Sequence, residues 1–122
     1  MESLSKAEVA FLEALGQIHA NWVASVGDAA AIPGQDLSWS EDPASFQRVA
    51  HAINAAALAP EVRSVLSQLA AGILHSVLVC LDGAANYPGT DTLQLTTEGR
   101  SAFRRHLHEY FFPYVKLPPY NT

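Results

Sequence analysis

The amino-acid sequence predicts an all-α fold: one helical domain over residues 1–122, four-helix-bundle-like, with long loops and at most one short extended segment. Apolar residues recur at three- and four-residue spacing in four stretches, the signature of helices with one buried face. Three of the four stretches open on a capping residue and the other on a proline, and each closes on Gly, Pro or an Asp-Gly pair. Only one short stretch alternates polar and apolar residues. At 122 residues, 49% apolar and 16% charged, the chain is long enough for one hydrophobic core and too apolar to stay disordered.

The first helix is announced by Ser5-Lys6-Ala7-Glu8, a capping box in which the Ser5 hydroxyl and the Glu8 carboxylate each satisfy a backbone amide of the first turn. Phe11, Leu12, Leu15, Ile18, Trp22, Val23 and Val26 follow on one face, and Gly27-Asp28 reads as the stop. The stretch Asp28–Asp42 carries Pro33-Gly34 and no sustained period, so it reads as a long surface loop, with Trp39 as its anchor to the core. Asp42 as N-cap and Pro43 at the first helical position start the second helix. Phe46, Val49, Ala50, Ile53 and Ala57 face inward there, and Gln47, His51 and Asn54 face outward.

Ala59-Pro60 ends that helix and opens the third, implying a tight hairpin of helices. Helix 3 runs from Pro60 to about Leu81. Val62, Leu66, Leu69, Ile73, Val77 and Cys80 form its main stripe, and its second half is apolar nearly all round. That predicts a central helix, with Leu66, Leu69, Ile73 and Val77 buried together with Phe103. Asp82–Asp91 is a second loop. Thr92–Thr96 alternates as an extended piece without an evident partner. Thr97 then caps a fourth helix through Arg100, Phe103, Leu107, Tyr110 and Phe111, which ends at Pro113. The prolines after Lys116 extend the tail.

Twelve acidic residues against seven basic ones give a net charge of −5, which disfavours nucleic acid and anionic membranes and favours a basic partner. One cysteine, Cys80, forms no intrachain disulfide, and its apolar surroundings predict a buried structural thiol. The opening residues lack a basic region followed by an apolar one, so no signal peptide is expected and the expected location is cytoplasmic. The longest apolar window is interrupted by Gln68 and His75, so no membrane span is expected either. The glycines are scattered and form no phosphate cradle.

Five histidines raise the question of a metal. His106 and His108, two apart on a helix, would point about 200° away from each other. No His-Glu-x-x-His, Glu-x-x-His or paired cysteines occur. No metal and no cofactor are therefore expected. His19 falls on the apolar face of helix 1, where a hydrogen-bonded core or boundary histidine is the usual outcome, and His51 is read as solvated. Gln68, His75 and Asp82 are spaced by seven and share one face of helix 3. This is either the polar strip of a buried helix or the floor of a pocket. Without a nucleophile or an oxyanion device it is not an active site, and Ser76 lies about 100° away from His75.

The segments His75-Ser76-Val77-Leu78-Val79-Cys80-Leu81-Asp82-Gly83 and Leu107-His108-Glu109-Tyr110-Phe111-Phe112 resemble a group of small uncharacterised bacterial proteins. That resemblance implies no activity and transfers no site residue. In general character the small acidic chain is similar to immunity proteins of bacterial toxin systems. The first expectation is therefore a non-enzymatic binding protein, an immunity-type inhibitor that covers a basic toxin surface with acidic loops. Its candidate contacts are Asp36, Glu41, Asp42, Asp82 and Asp91. Two alternatives stand beside it. One is a small-ligand or metal-binding helical protein, or an enzyme, using His75, Asp82 and His108. The other is a dimeric regulatory module paired through an exposed apolar helix face.

Overall fold

The computed structural model describes residues 3–32, 34–82, 94–99, 102–103 and 106–115. These form three α-helices, α1 (Lys6–Ala31), α2 (Pro43–Ala56) and α3 (Ala59–Leu81), followed by two 3-10 turns, Leu107–Tyr110 and Phe112–Tyr114. The fold is all-α.

The caps anticipated from sequence are formed. The Ser5 hydroxyl accepts from the Glu8 amide at 3.1 Å, and the Glu8 carboxylate accepts from the Ser5 amide at 2.8 Å. Asp42 accepts from the Ser45 amide and hydroxyl at 3.2 and 2.6 Å, with Pro43 in the first turn. α1 does not stop at Gly27-Asp28; it continues to Ala31. Arg63 from α3 packs over Gly27 and pairs with Asp28, so tertiary contact carries the helix through its local stop signal. At the end of α2, Ala57 takes a left-handed conformation (φ 57°) and its amide reaches the Ile53 and Asn54 carbonyls. Trp39 fastens its loop edge-on between Trp22 (5.8 Å) and Phe46 (4.9 Å), a half-exposed aromatic cluster apart from the core to which it was expected to anchor.

A fourth α-helix is absent among the described residues. Thr96 and Ala102 instead form an isolated antiparallel bridge, and the Phe103 amide donates to the Leu95 carbonyl at 2.8 Å. The extended piece thus finds its partner a few residues downstream. The His108 amide, which an α-helix would use internally, donates to the Asp82 carboxylate at 2.7 Å. Pro113 supplies no amide to continue a helix.

The core cluster comprises Leu12, Ala71, Leu78, Leu107, Phe111 and Val115, with Phe11, Leu74, Leu95, Phe103, Tyr110 and Tyr114 packed around it. It fills the cleft between the first half of α1 and the second half of α3, closed by residues 107–115. Gly16 permits this closure: the Tyr114 carbonyl lies where a Cβ at Gly16 would sit.

Two expectations about the core are overturned. Leu69, Ile73 and Val77 are not buried; they are 50–57% exposed, and Val49 of α2 is also exposed. The buried face of α3 runs through Ser67, Ala71 and Leu78. Small side chains at 67 and 71 let α1 approach closely, so the bulkier stripe faces away. Nor is α3 the central helix. α1 contacts α2, α3 and the second 3-10 turn, whereas α2 touches α3 only lightly. Cys80 is half-buried rather than sealed in. Among the described residues, α3 is long and apolar enough to cross a membrane by length and composition, because Gln68 and His75 dilute the window without a charged group.

Candidate functional site

Among the described residues, an apolar groove and a histidine cluster stand out from the other surface depressions by their chemistry. The first is the open end of the α1–α3 cleft. Beyond the reach of residues 107–115 the two helices leave a groove of about 430 Å³, lined by Ile18, Trp22, Val26, Leu66, Leu69 and Ile73 among others. Leu69 and Ile73 also border a shallower depression with Gly72, Ser76 and Val77. The groove and the exposed Leu69, Ile73 and Val77 of α3 therefore form one continuous, mostly apolar surface bordered by Gln68, and Val65 lies exposed one turn before Leu69 on the same helix face. At its inner edge His19 is buried: Nε2 lies 2.9 Å from the Ser67 carbonyl oxygen, which accepts its proton, and 3.4 Å from the Ser67 hydroxyl. His19 is thus the hydrogen-bonded core histidine anticipated from its spacing.

The second feature is a histidine cluster at the Asp82 end of α3. Asp82 is only 3% exposed. One of its carboxylate oxygens accepts both the His108 amide and the His108 Nδ1–H, each at 2.7 Å. Burial raises the Asp82 pKa above its ordinary value, opposed by those two hydrogen bonds and by the nearby imidazoles of His108 and His106. His75 stacks on Phe112 with ring centres 4.8 Å apart and meets the edge of His108 at 5.5 Å. His106 stands on the solvent side of His108, 6.0 Å away between rings. Donor atoms of His106, His108 and Glu109 lie within 4.8 Å of one another.

No family model, curated protein or solved structure matches this chain.

The residues expected to meet a basic partner are dispersed in role. Asp36 is exposed, but its carboxylate accepts from the Ser38 amide and hydroxyl, which lower its pKa. Asp42 is spent in the same way on the α2 cap. Asp82 offers no surface charge, Glu41 is exposed, and Asp91 lies outside the described residues. The structure does bring His75, Asp82 and His108 together. The sequence did not point to His106 and Glu109 as their neighbours: on an α-helix His106 and His108 would lie about 200° apart, and no spacing tied Glu109 to either. In the turn and 3-10 backbone actually formed, 106, 108 and 109 converge. Gln68 does not join the cluster; it is exposed and donates to Ser64.

Proposed function

We propose that this chain is a non-enzymatic binding protein whose binding surface is the open apolar face of α1 and α3, and that its occupant is a second copy of the chain. The observation that carries this reading is the exposure of Ile18, Trp22, Leu69, Ile73 and Val77, each 44–57% accessible, on one continuous surface, with Val65 (63%) one turn before Leu69. Half-exposed side chains of this size present on the order of 600 Å², the upper end of what monomers leave contiguous and near the ~800 Å² per partner of a standard interface.

Three arguments favour self-association. Val65, Leu69, Ile73 and Val77 form an i±4 ridge, which packs into the matching groove of an identical helix at a crossing near −50°. Gly72 meets nothing within 4 Å, so a second backbone can approach there. From Ser64 to Leu81 the helix carries no Asp, Glu, Lys or Arg, so two chains of net charge −5 meet without opposing like charges, while a basic partner finds nothing to pair with. An acidic-loop inhibitor would instead draw on Asp36, Glu41 and Asp42, two of which are engaged in their own loops.

Sedimentation equilibrium of the purified chain tests the proposal. The wild type is expected at twice the 13.1 kDa chain mass, and Leu69→Glu/Ile73→Glu at the single mass with unchanged helical circular dichroism. Asp36→Lys/Glu41→Lys leaves the dimer intact. A wild type that stays monomeric at high concentration overturns the reading. So does a chain that associates only with lipid vesicles, or a dimer that the acidic reversals dissociate and the apolar substitutions do not.

A further inference from the structure

We propose that His106, His108 and Glu109 form a binding site for a divalent transition-metal ion of the zinc class, with Asp82 as the carboxylate that orients His108. The donor set is two imidazoles and one carboxylate, ligands that suit such ions and leave a coordination position open to water or another ligand. The donor atoms, within 4.8 Å of one another, must close to about 3.3 Å to surround one ion at the usual 2.0–2.1 Å bond lengths. His106 and Glu109 are both exposed, so rotation of two surface side chains achieves this without moving the core.

The second, independent observation is Asp82. Metal-ligating histidines commonly give their other ring nitrogen to a carboxylate, which fixes the tautomer and strengthens the ligand. Asp82 does this here, from a buried position, holding both the ring and the backbone of His108. Its contact with Nδ1 leaves Nε2 to coordinate. His75, against Phe112 and the edge of His108, walls the inner side of the cluster with aromatic surface. The site lies outside the groove between α1 and α3, so it is independent of self-association.

Titration of the chelator-treated chain with Zn²⁺, read by calorimetry, is the test, with Co²⁺ absorption as a probe of ligand number. One ion per chain is expected, with the intense visible bands of a four- or five-coordinate Co²⁺. Asp82→Asn, which removes no ligand, lowers affinity about 10–100-fold. His106→Ala and Glu109→Gln, at exposed positions that leave the fold unchanged by circular dichroism, lower it at least as much. His51→Ala, on the exposed face of α2, has no effect. The proposal is overturned if the wild type gives no binding heat and no rise in Tm at about a hundredfold excess of Zn²⁺. Binding that His106→Ala and Glu109→Gln leave intact, or that His51→Ala weakens equally, also overturns it as adventitious.

Discussion

Leu78 and Ile73 lie little more than one turn apart on α3 and sit in opposite environments, one sealed under Phe111 and Leu107, the other in solvent. Leu78→Ala should cost about 2–5 kcal/mol, the range for emptying a packed site. Ile73→Ala should stay within about 0.5 kcal/mol, as surface positions do. Urea denaturation checks both, at concentrations low enough to keep the chain monomeric; equal losses would place both side chains in the core. Asp42 supplies a pH signature. Hydrogen bonds from the Ser45 hydroxyl, then the Ser45 amide, hold its carboxyl below the ordinary 3.8. The stability it contributes is fully present above its unfolded pKa and is lost as pH falls through the depressed folded value. The stability gap between wild type and Asp42→Asn should therefore narrow as denaturation is carried from neutral pH to below that value. A gap independent of pH would mean that the carboxylate form is not what caps α2.

At the scale of elements, local signals specified what tertiary contact did not override. Ser5 with Glu8 and Asp42 with Pro43 were legible because capping is chemistry within one turn. The span of α3 was legible from Pro60 and the apolar run, but its buried face was not. A helix apolar nearly all round has no period to read, and the choice fell to where Ser67 and Ala71 admit α1. Among the described residues, the 3-10 turns that stand where the fourth helix was expected have a similar cause: Leu107, Tyr110 and Phe111 have a spacing that a helix and a 3-10 turn both bury on one side. Of the histidine cluster, His75 and Asp82 were legible by spacing and His108 was named beside them as an alternative, whereas the pairing of His106 with His108 was set aside on an α-helical geometry that these residues do not adopt. The docking of residues 107–115 depends on Gly16. Gly16→Ala should destabilise by about 1–3 kcal/mol, the usual cost of overpacking, and should raise amide exchange at Tyr114 and Val115 before it affects α2. Unchanged protection there would show that the Tyr114 backbone yields freely.

For the whole molecule, the core occupies one end of the α1–α3 cleft and the apolar face the other. The proposed second chain on that face would complete the burial that residues 107–115 provide at the closed end. Stability is then linked to chain concentration, because association draws on the folded state. Tm should rise with protein concentration for the wild type and be flat for Leu69→Glu/Ile73→Glu. A flat wild-type response would separate the face from any role in assembly.

The closure of Gly16 and Leu12 by Tyr114 and Phe111 joins segments from near opposite ends of the described chain. Helical proteins usually fold fast because their contacts are local, and rates fall as contacts span longer stretches of sequence. Here the helices can form early, but the Leu12–Leu78–Phe111 nucleus must wait for a loop closure that spans most of the polypeptide. During synthesis the same ordering leaves the closed end of the cleft unsealed until residues 107–115 have left the ribosome. Until then this chain exposes two apolar surfaces, and only one of them is later covered by residues 107–115.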